Sequence, residues 1–316
     1  MGKTIISNFD NRVILQGGLG NQLFQFAFAH FLINHTNSKI RLENKIISYN
    51  TGHDSTLFFD FFKKYCQHLK FKENMIIDCN NIIGNLFNKV GIAHQIENLY
   101  LNYKLYRTIF EKDFDSSKLS TFFTRENQIS FDGYWQNWFY VDTVKNQIIP
   151  EISKIINSIE LSEDLSFSGD KKYLILHVRR GDYMLPKHRR SFGVVNLSAY
   201  LSKIDELTKN KPDSEIMTLT DDIDLLKNEK HYERFGKILG PQSINSWQAL
   251  KLMSKSHYLM TANSSLSWWG GYLSMLNGGR VFIPKPWFKI DTNNITNSLL
   301  HPKFYTYPSI FEDNSE

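Results

Sequence analysis

The stretch Tyr173-Leu-Ile-Leu-His-Val-Arg-Arg-Gly-Asp-Tyr183 constrains this chain more than any other. Its apolar start, Tyr173 to Leu176, reads as a buried β-strand. That strand runs directly into His177, Arg179, Arg180, Gly181 and Asp182. Two neighbouring guanidiniums at a strand end are expensive to bury unless an anion meets them. Arginine's fixed fork of donors matches a pair of phosphate oxygens. In open α/β sheets, ligands bind at the carboxyl ends of strands. The segment therefore predicts a phosphate site, with a nucleotide diphosphate as its expected occupant.

A chain of 316 residues is long enough for two domains. Lysine and arginine total 37 against 32 acidic residues, a net charge of +5. So mild an excess suits an anionic small molecule or an anionic membrane surface. It gives no basis for nucleic-acid binding, because the only compact basic block is Lys187-His-Arg-Arg190. Cys66 and Cys79 form no paired motif and sit in no ligand-rich cluster, so free thiols in a reducing compartment are expected. The segment Met1–Asn8 has no signal-peptide core, and its Gly2 and Ser7 alone make a poor case for myristoylation. No run is apolar and long enough to span a bilayer. The expected location is the cytoplasm, with peripheral contact at the inner membrane face left open.

The order of elements predicts an α/β fold. Asn11–Leu15 reads as a strand, Gln16-Gly-Gly-Leu-Gly20 as a turn, and Asn21 to about Asn34 as a largely buried helix. The region from about 40 to 160 is less regular, with helices expected near 55–70 and 140–160. Polar Leu161–Lys171 reads as a linker, which sets an N-terminal α/β domain at 1–165 and a C-terminal Rossmann-like domain at 166–316. In the latter, strands at 173–178, Ile216–Thr220, His257–Thr261 and Arg280–Ile283 are expected. Helices near Ser198–Lys209, from Asn245 or Ser246 to Lys255, and after Asn263 fall between or beyond them. Strands separated by helices imply a parallel, doubly wound sheet.

Three of these strands end in polar residues: His177/Arg179/Arg180, Asp221/Asp222 and Asn263/Ser264/Ser265. A ligand lying across the ends could meet all of them. The Asn-Ser-Ser turn opens a helix, where backbone N–H groups favour an anion. An aspartate can accept the two adjacent N–H donors of guanine. Each piece also has a plainer reading. A serine can be a helix cap, Asp221-Asp222 a solvated loop, and Arg180 the partner of Asp182 in a bridge that shapes the loop.

Gly17-Gly-Leu-Gly-Asn-Gln-Leu-Phe-Gln25, Gly133-Tyr-Trp-Gln136, His177-Val-Arg-Arg-Gly-Asp-Tyr183 and Asn263-Ser-Ser-Leu-Ser-Trp-Trp269 together resemble the motifs of the family-11 glycosyltransferases. The glycine motif lacks the third glycine of a dinucleotide fingerprint. The departures are small: Leu266 stands where phenylalanine is common, and Asp222 leads into Ile-Asp-Leu-Leu226 without an aromatic residue.

The resemblance implies a two-domain, GT-B-like α/β glycosyltransferase with the donor held by the second domain and the acceptor by the first. It implies an inverting α-1,2-fucosyltransferase that moves L-fucose from GDP-β-L-fucose to the 2-hydroxyl of a galactose-terminated oligosaccharide or lipid-linked glycan, in surface-polysaccharide or lipopolysaccharide synthesis. Alternatives are a fucosyltransferase of another linkage and a GDP-sugar-binding protein without turnover. By resemblance, Arg179 contacts the β-phosphate, with Arg180 second. Asp222, with Asp221 beside it, meets the guanine. Asn263, Ser264 and Ser265 lie near the phosphates and His177 under the nucleotide. Gly18, Gly20, Asn21 and Gln22 approach the donor from the first domain, although Asn21 also reads as a helix cap. Tyr134, Trp135 and Gln136 could form a sugar platform, or could be core. Asp182 is a weak candidate for the base. No cofactor is expected. Asp113-Phe-Asp115 and Asp222-Ile-Asp224 spell a metal clamp, but the arginine pair would make a metal ion redundant.

Overall fold

The computed structural model describes residues 11–36, 38–44, 47–48, 70–72, 77–78, 106–123, 128–165, 167, 171–209, 214–290 and 295–312. Cys66, Cys79 and the helix expected near 55–70 lie outside them, apart from Lys70, which begins a strand. The chain divides into two compact units, Met1–Ile155 and Ile156–Glu316. The division falls inside the helix Trp138–Ser158. Of the polar segment 161–171, the described residues 161–165, 167 and 171 fall in the second unit. Leu165 is buried, and Lys237 Nζ reaches Asp164 at both its carbonyl and its carboxylate.

The first unit is built on a parallel sheet. Its strands are β1 (Asn11–Leu15), β2 (Ile40–Asn44), β4 (Lys70–Lys72), β6 (Tyr106–Phe110) and β7 (Gln128–Asp132), in the order β4-β2-β1-β7-β6. Two further strands, β3 (Ile47–Ser48) and β5 (Ile77–Asp78), pair with each other. All five residues of β1 are buried, as a central strand covered on both faces requires. Arg12 ties β1 to both its neighbours: Nη1 lies 2.8 Å from Glu43 on β2, and Nε donates to Ser130 on β7 at 3.0 Å. The helix Leu19–Thr36 follows β1 and is buried around most of its circumference.

The second unit carries six parallel strands. They are β8 (Lys172–Val178), β9 (Ser214–Thr220), β10 (Lys237–Leu239), β11 (Tyr258–Met260), β12 (Arg280–Lys285) and β13 (Tyr305–Pro308). Their order is β10-β9-β8-β11-β12-β13. Counted within the unit this is 3-2-1-4-5-6, the Rossmann arrangement. Strand β8 alternates between two cores. Leu174, Leu176 and Val178 pack on one face, Tyr173 and Ile175 on the other, so both faces are covered. The expected helices appear at Leu197–Thr208, Ser246–Ser254 and Ser265–Leu276. Asn245 closes a capping box with Gln248 at the second of these. Among the described residues no helix is long and apolar enough to cross a membrane.

Candidate active site

Successive strands of the second sheet are added to one side of β8 as far as β10 and then to its other side from β11, so β8 and β11 lie side by side with their chains leaving in opposite lateral directions. That is the switch point where a crevice opens beyond the strand ends. The residues after β8 and β11 are Arg179 onward and Thr261 onward, so two of the three polar strand ends meet at this point.

Arg179 is held from two sides. Its Nε lies 3.0 Å from Asp221 Oδ2, just past β9, and its Nη2 pairs with Asp182 Oδ1. The guanidinium carbon sits 5.3 Å from the centre of the Tyr183 ring. Burial opposes its charge, but Asp221 and Asp182 outweigh that and hold its pKa above the ordinary value. The backbone N–H of Arg180 donates to Asp221 Oδ1 at 2.6 Å. Gly181 makes this approach possible: a Cβ there would lie 2.5 Å from Asp221 Oδ2. Tyr183 then joins the β8 loop to the β11 loop by donating its hydroxyl to Asn263 O at 2.9 Å. The three strand ends are therefore one hydrogen-bonded cluster.

The remaining donor candidates have definite places. His177 is buried, its ring Nδ1 meets no partner among the described residues, and its carbonyl accepts from Tyr200. Burial first, then the charge of Arg179, pushes its pKa down to about 3, so the imidazole is neutral. Asn263 is buried, and its Nδ2 donates to the carbonyls of Phe192 and Gly193. Ser264 stands at the cap position of the helix Ser265–Leu276, yet its hydroxyl makes no capping bond. Asp222 caps Ile223–Lys227 by accepting the Leu225 N–H at 2.9 Å.

Arg180 differs from the bridge that the sequence suggested. Its partner is not Asp182. A tight turn at Gly181–Met184 carries Asp182 back to Arg179, while the Arg180 side chain runs inward to Val195 O and Glu312. Alternation along an extended segment stops holding where that turn begins.

In the first unit, the helix opens at Leu19, two residues before the expected Asn21. Asn21 is therefore no cap. Its Oδ1 accepts from Gln136 Nε2 at 2.7 Å, which joins two of the candidate motifs. Gly18 O accepts the N–H groups of Asn21 and Gln22, and Gly20 is buried in the first helical turn. Gln22 is buried and donates to Gly17 O at 2.7 Å. Trp135 has a left-handed backbone (φ 55°) and stacks flat on Phe28 in the core at 3.8 Å. Its buried ring presents no face to a sugar, whereas Tyr134 is 45% exposed. Glu111, which no motif marks, accepts the Tyr134 N–H at 2.8 Å and braces this turn.

Of the two Asp-X-Asp tripeptides, one has Asp115 accepting the N–H and hydroxyl of Ser117, and the other begins with the capping Asp222. Among the described residues no group of three or more His, Cys, Asp or Glu is placed to hold a metal ion.

The sequence profile described as "Glycosyl transferase family 11" matches residues 11–294. An α-1,2-colitosyltransferase of Escherichia coli is 26% identical over 292 residues, covering 89% of this chain and 93% of its own. The O-antigen biosynthesis glycosyltransferase WbnK of Escherichia coli is 24% identical over 295 residues, covering 87% and 93%. Among solved structures, E. coli heptosyltransferase WaaC with ADP aligns over 95% of this chain and 93% of its own, at 9% identity and a TM-score of 0.47.

Proposed function

Because the chain belongs to glycosyl transferase family 11, we propose that it is an inverting α-1,2-fucosyltransferase using GDP-β-L-fucose. The acceptor in this reading is the 2-hydroxyl of a terminal β-galactoside. The pathway is O-antigen or other surface-polysaccharide assembly, on the strength of a relative named for O-antigen biosynthesis. The enzyme works in the cytoplasm, where its acceptor could be a lipid-linked glycan at the membrane face.

The observation that carries this reading is the position of Arg179 at the end of β8, on the switch point of the sheet. As the bond between fucose and phosphate breaks, negative charge grows on the β-phosphate. A guanidinium already fixed by Asp221 and Asp182 stabilises that charge without having to reorganise. The helix N-terminus at Ser264–Ser265 supplies N–H groups for the same anion. Asp222 keeps its proposed role toward guanine, and in this reading Arg179 with the helix N-terminus makes a divalent ion unnecessary. Asp182, already paired with Arg179, is the candidate base.

One observation favours a second donor. The relative at 26% identity is named an α-1,2-colitosyltransferase. Colitose is fucose without its 3-hydroxyl, so a site that hydrogen-bonds that hydroxyl separates the two strongly. The test is to incubate the protein with GDP-fucose or GDP-colitose and a panel of galactosides. GDP release would be followed with and without chelator, and the product linkage assigned by NMR. An α-1,2-fucosyl product formed in the presence of chelator is expected. GDP release only from the colitosyl donor would move the assignment to that sugar, and no release from either would leave a binding protein.

A further inference from the structure

Arg180 is buried to 1% exposure, although it sits beside Arg179 in the loop. Its Nη1 donates to Val195 O at 2.9 Å, and its Nη2 lies 3.0 Å from Glu312 Oε1. The other oxygen of Glu312 is 3.6 Å from Arg189 Nη2. Glu312 arrives there on a strap formed by the last described residues. Phe311 bridges antiparallel to Val195, Glu312 N donates to Val194 O, and Asn196 N donates to Ile310 O. The strap lies past residues 11–294, the part of the chain that the family profile matches.

A connected set of contacts leads from this strap to the reactive end of the loop. The Arg180 side chain is anchored by Glu312, its own N–H holds Asp221, and Asp221 holds Arg179 Nε. For Arg180 to reach a phosphate it would have to leave Val195 O and Glu312, taking from Glu312 the nearer of the two cations beside it.

We propose that Glu312 is a positioning residue for the donor site. It clasps Arg180 as a structural cation, so that the Arg180 backbone fixes Asp221 and Asp221 aims Arg179. The inference rests on the reading of Arg179 as the group that faces the departing diphosphate. It reassigns Arg180 from ligand to support.

The test uses the full chain and GDP as the probe, with affinity from calorimetry, turnover from GDP release, and thermal midpoints. Glu312→Gln is expected to weaken GDP binding and slow turnover about tenfold, because the neutral amide no longer holds the Arg180 charge in place. The acceptor KM should stay unchanged. Glu312→Asp, which keeps the charge, should recover part of the loss. The double variant Arg180→Met with Glu312→Leu removes the Arg180 charge together with its clasp, so it is expected to fold and to lose no more GDP affinity than Glu312→Gln does. Wild-type affinity in Glu312→Gln would overturn the proposal. So would a folded double variant that binds GDP far more weakly than Glu312→Gln, since Arg180 would then be a ligand itself. Failure of the unchanged chain to bind GDP would remove the nucleotide reading and this inference with it.

Discussion

Replacing Gly181 by alanine tests how the arginine loop is built. Gly181 has a backbone φ of +21°, and a Cβ added there would lie 2.5 Å from Asp221 Oδ2 and 2.9 Å from its Cγ. The carboxylate cannot step aside without loss. One oxygen takes the Arg180 N–H at 2.6 Å, and the other lies 3.0 Å from Arg179 Nε. Giving up the first, a charged hydrogen bond, costs about 1.5–3 kcal/mol, which is roughly 10- to 100-fold in affinity. The left-handed backbone costs alanine about 1 kcal/mol more, in stability alone. Gly278 supplies the control. It has φ +88° and nothing within 4 Å of the added Cβ, so alanine there carries the backbone cost and moves no charge. GDP affinity by calorimetry should fall about 10- to 100-fold in Gly181→Ala and stay level in Gly278→Ala. Equal affinity in Gly181→Ala and the unchanged chain would refute the view that Asp221 aims Arg179.

Arg179→Lys keeps the charge but loses the fork, so turnover should drop about 100- to 1000-fold; near-normal GDP release would remove Arg179 from its role. Glu43→Ala leaves the Arg12 guanidinium in the core of the first unit without the carboxylate 2.8 Å away, both side chains being 1% exposed. Urea denaturation should show a loss of about 3–5 kcal/mol, and a near-neutral change would contradict the buried pair. His177 has a folded pKa of about 3 against an ordinary 6.5. Between those values the unfolded chain binds a proton that the folded chain refuses, so this residue makes stability fall as pH drops, by up to about 1.4 kcal/mol per unit. His177→Gln should flatten the urea midpoint between about pH 4 and pH 6 relative to the unchanged chain, and parallel curves would place the imidazole in water.

Strand β8 was legible because burial on both faces leaves an unbroken apolar run, Tyr173 to Leu176, that needs no partner to be recognised. The helix after β1 was legible for a similar reason: its apolar residues surround it. Strands β10 and β13 were not. Each has only three or four residues, at the two ends of the sheet, and pairing rather than pattern makes them strands. Trp135 was ambiguous because an aromatic run reads alike whether it faces a sugar or the core, and the left-handed turn at that residue turned it inward.

The amino-acid order by itself determined that this chain alternates strands and helices and that arginines stand at a strand end, since periodicity and charge are local properties. It carried the family motifs as well. Only tertiary structure decided which carboxylates each arginine meets and that Arg180 is the more deeply buried of the two. Arg179 and Arg180 are adjacent and chemically identical, and what separates them is Asp221 from the neighbouring strand and Glu312 from the far end of the chain. A buried charge takes its role from whichever opposite charge the fold brings within reach, and that distance is not written in the neighbouring residues.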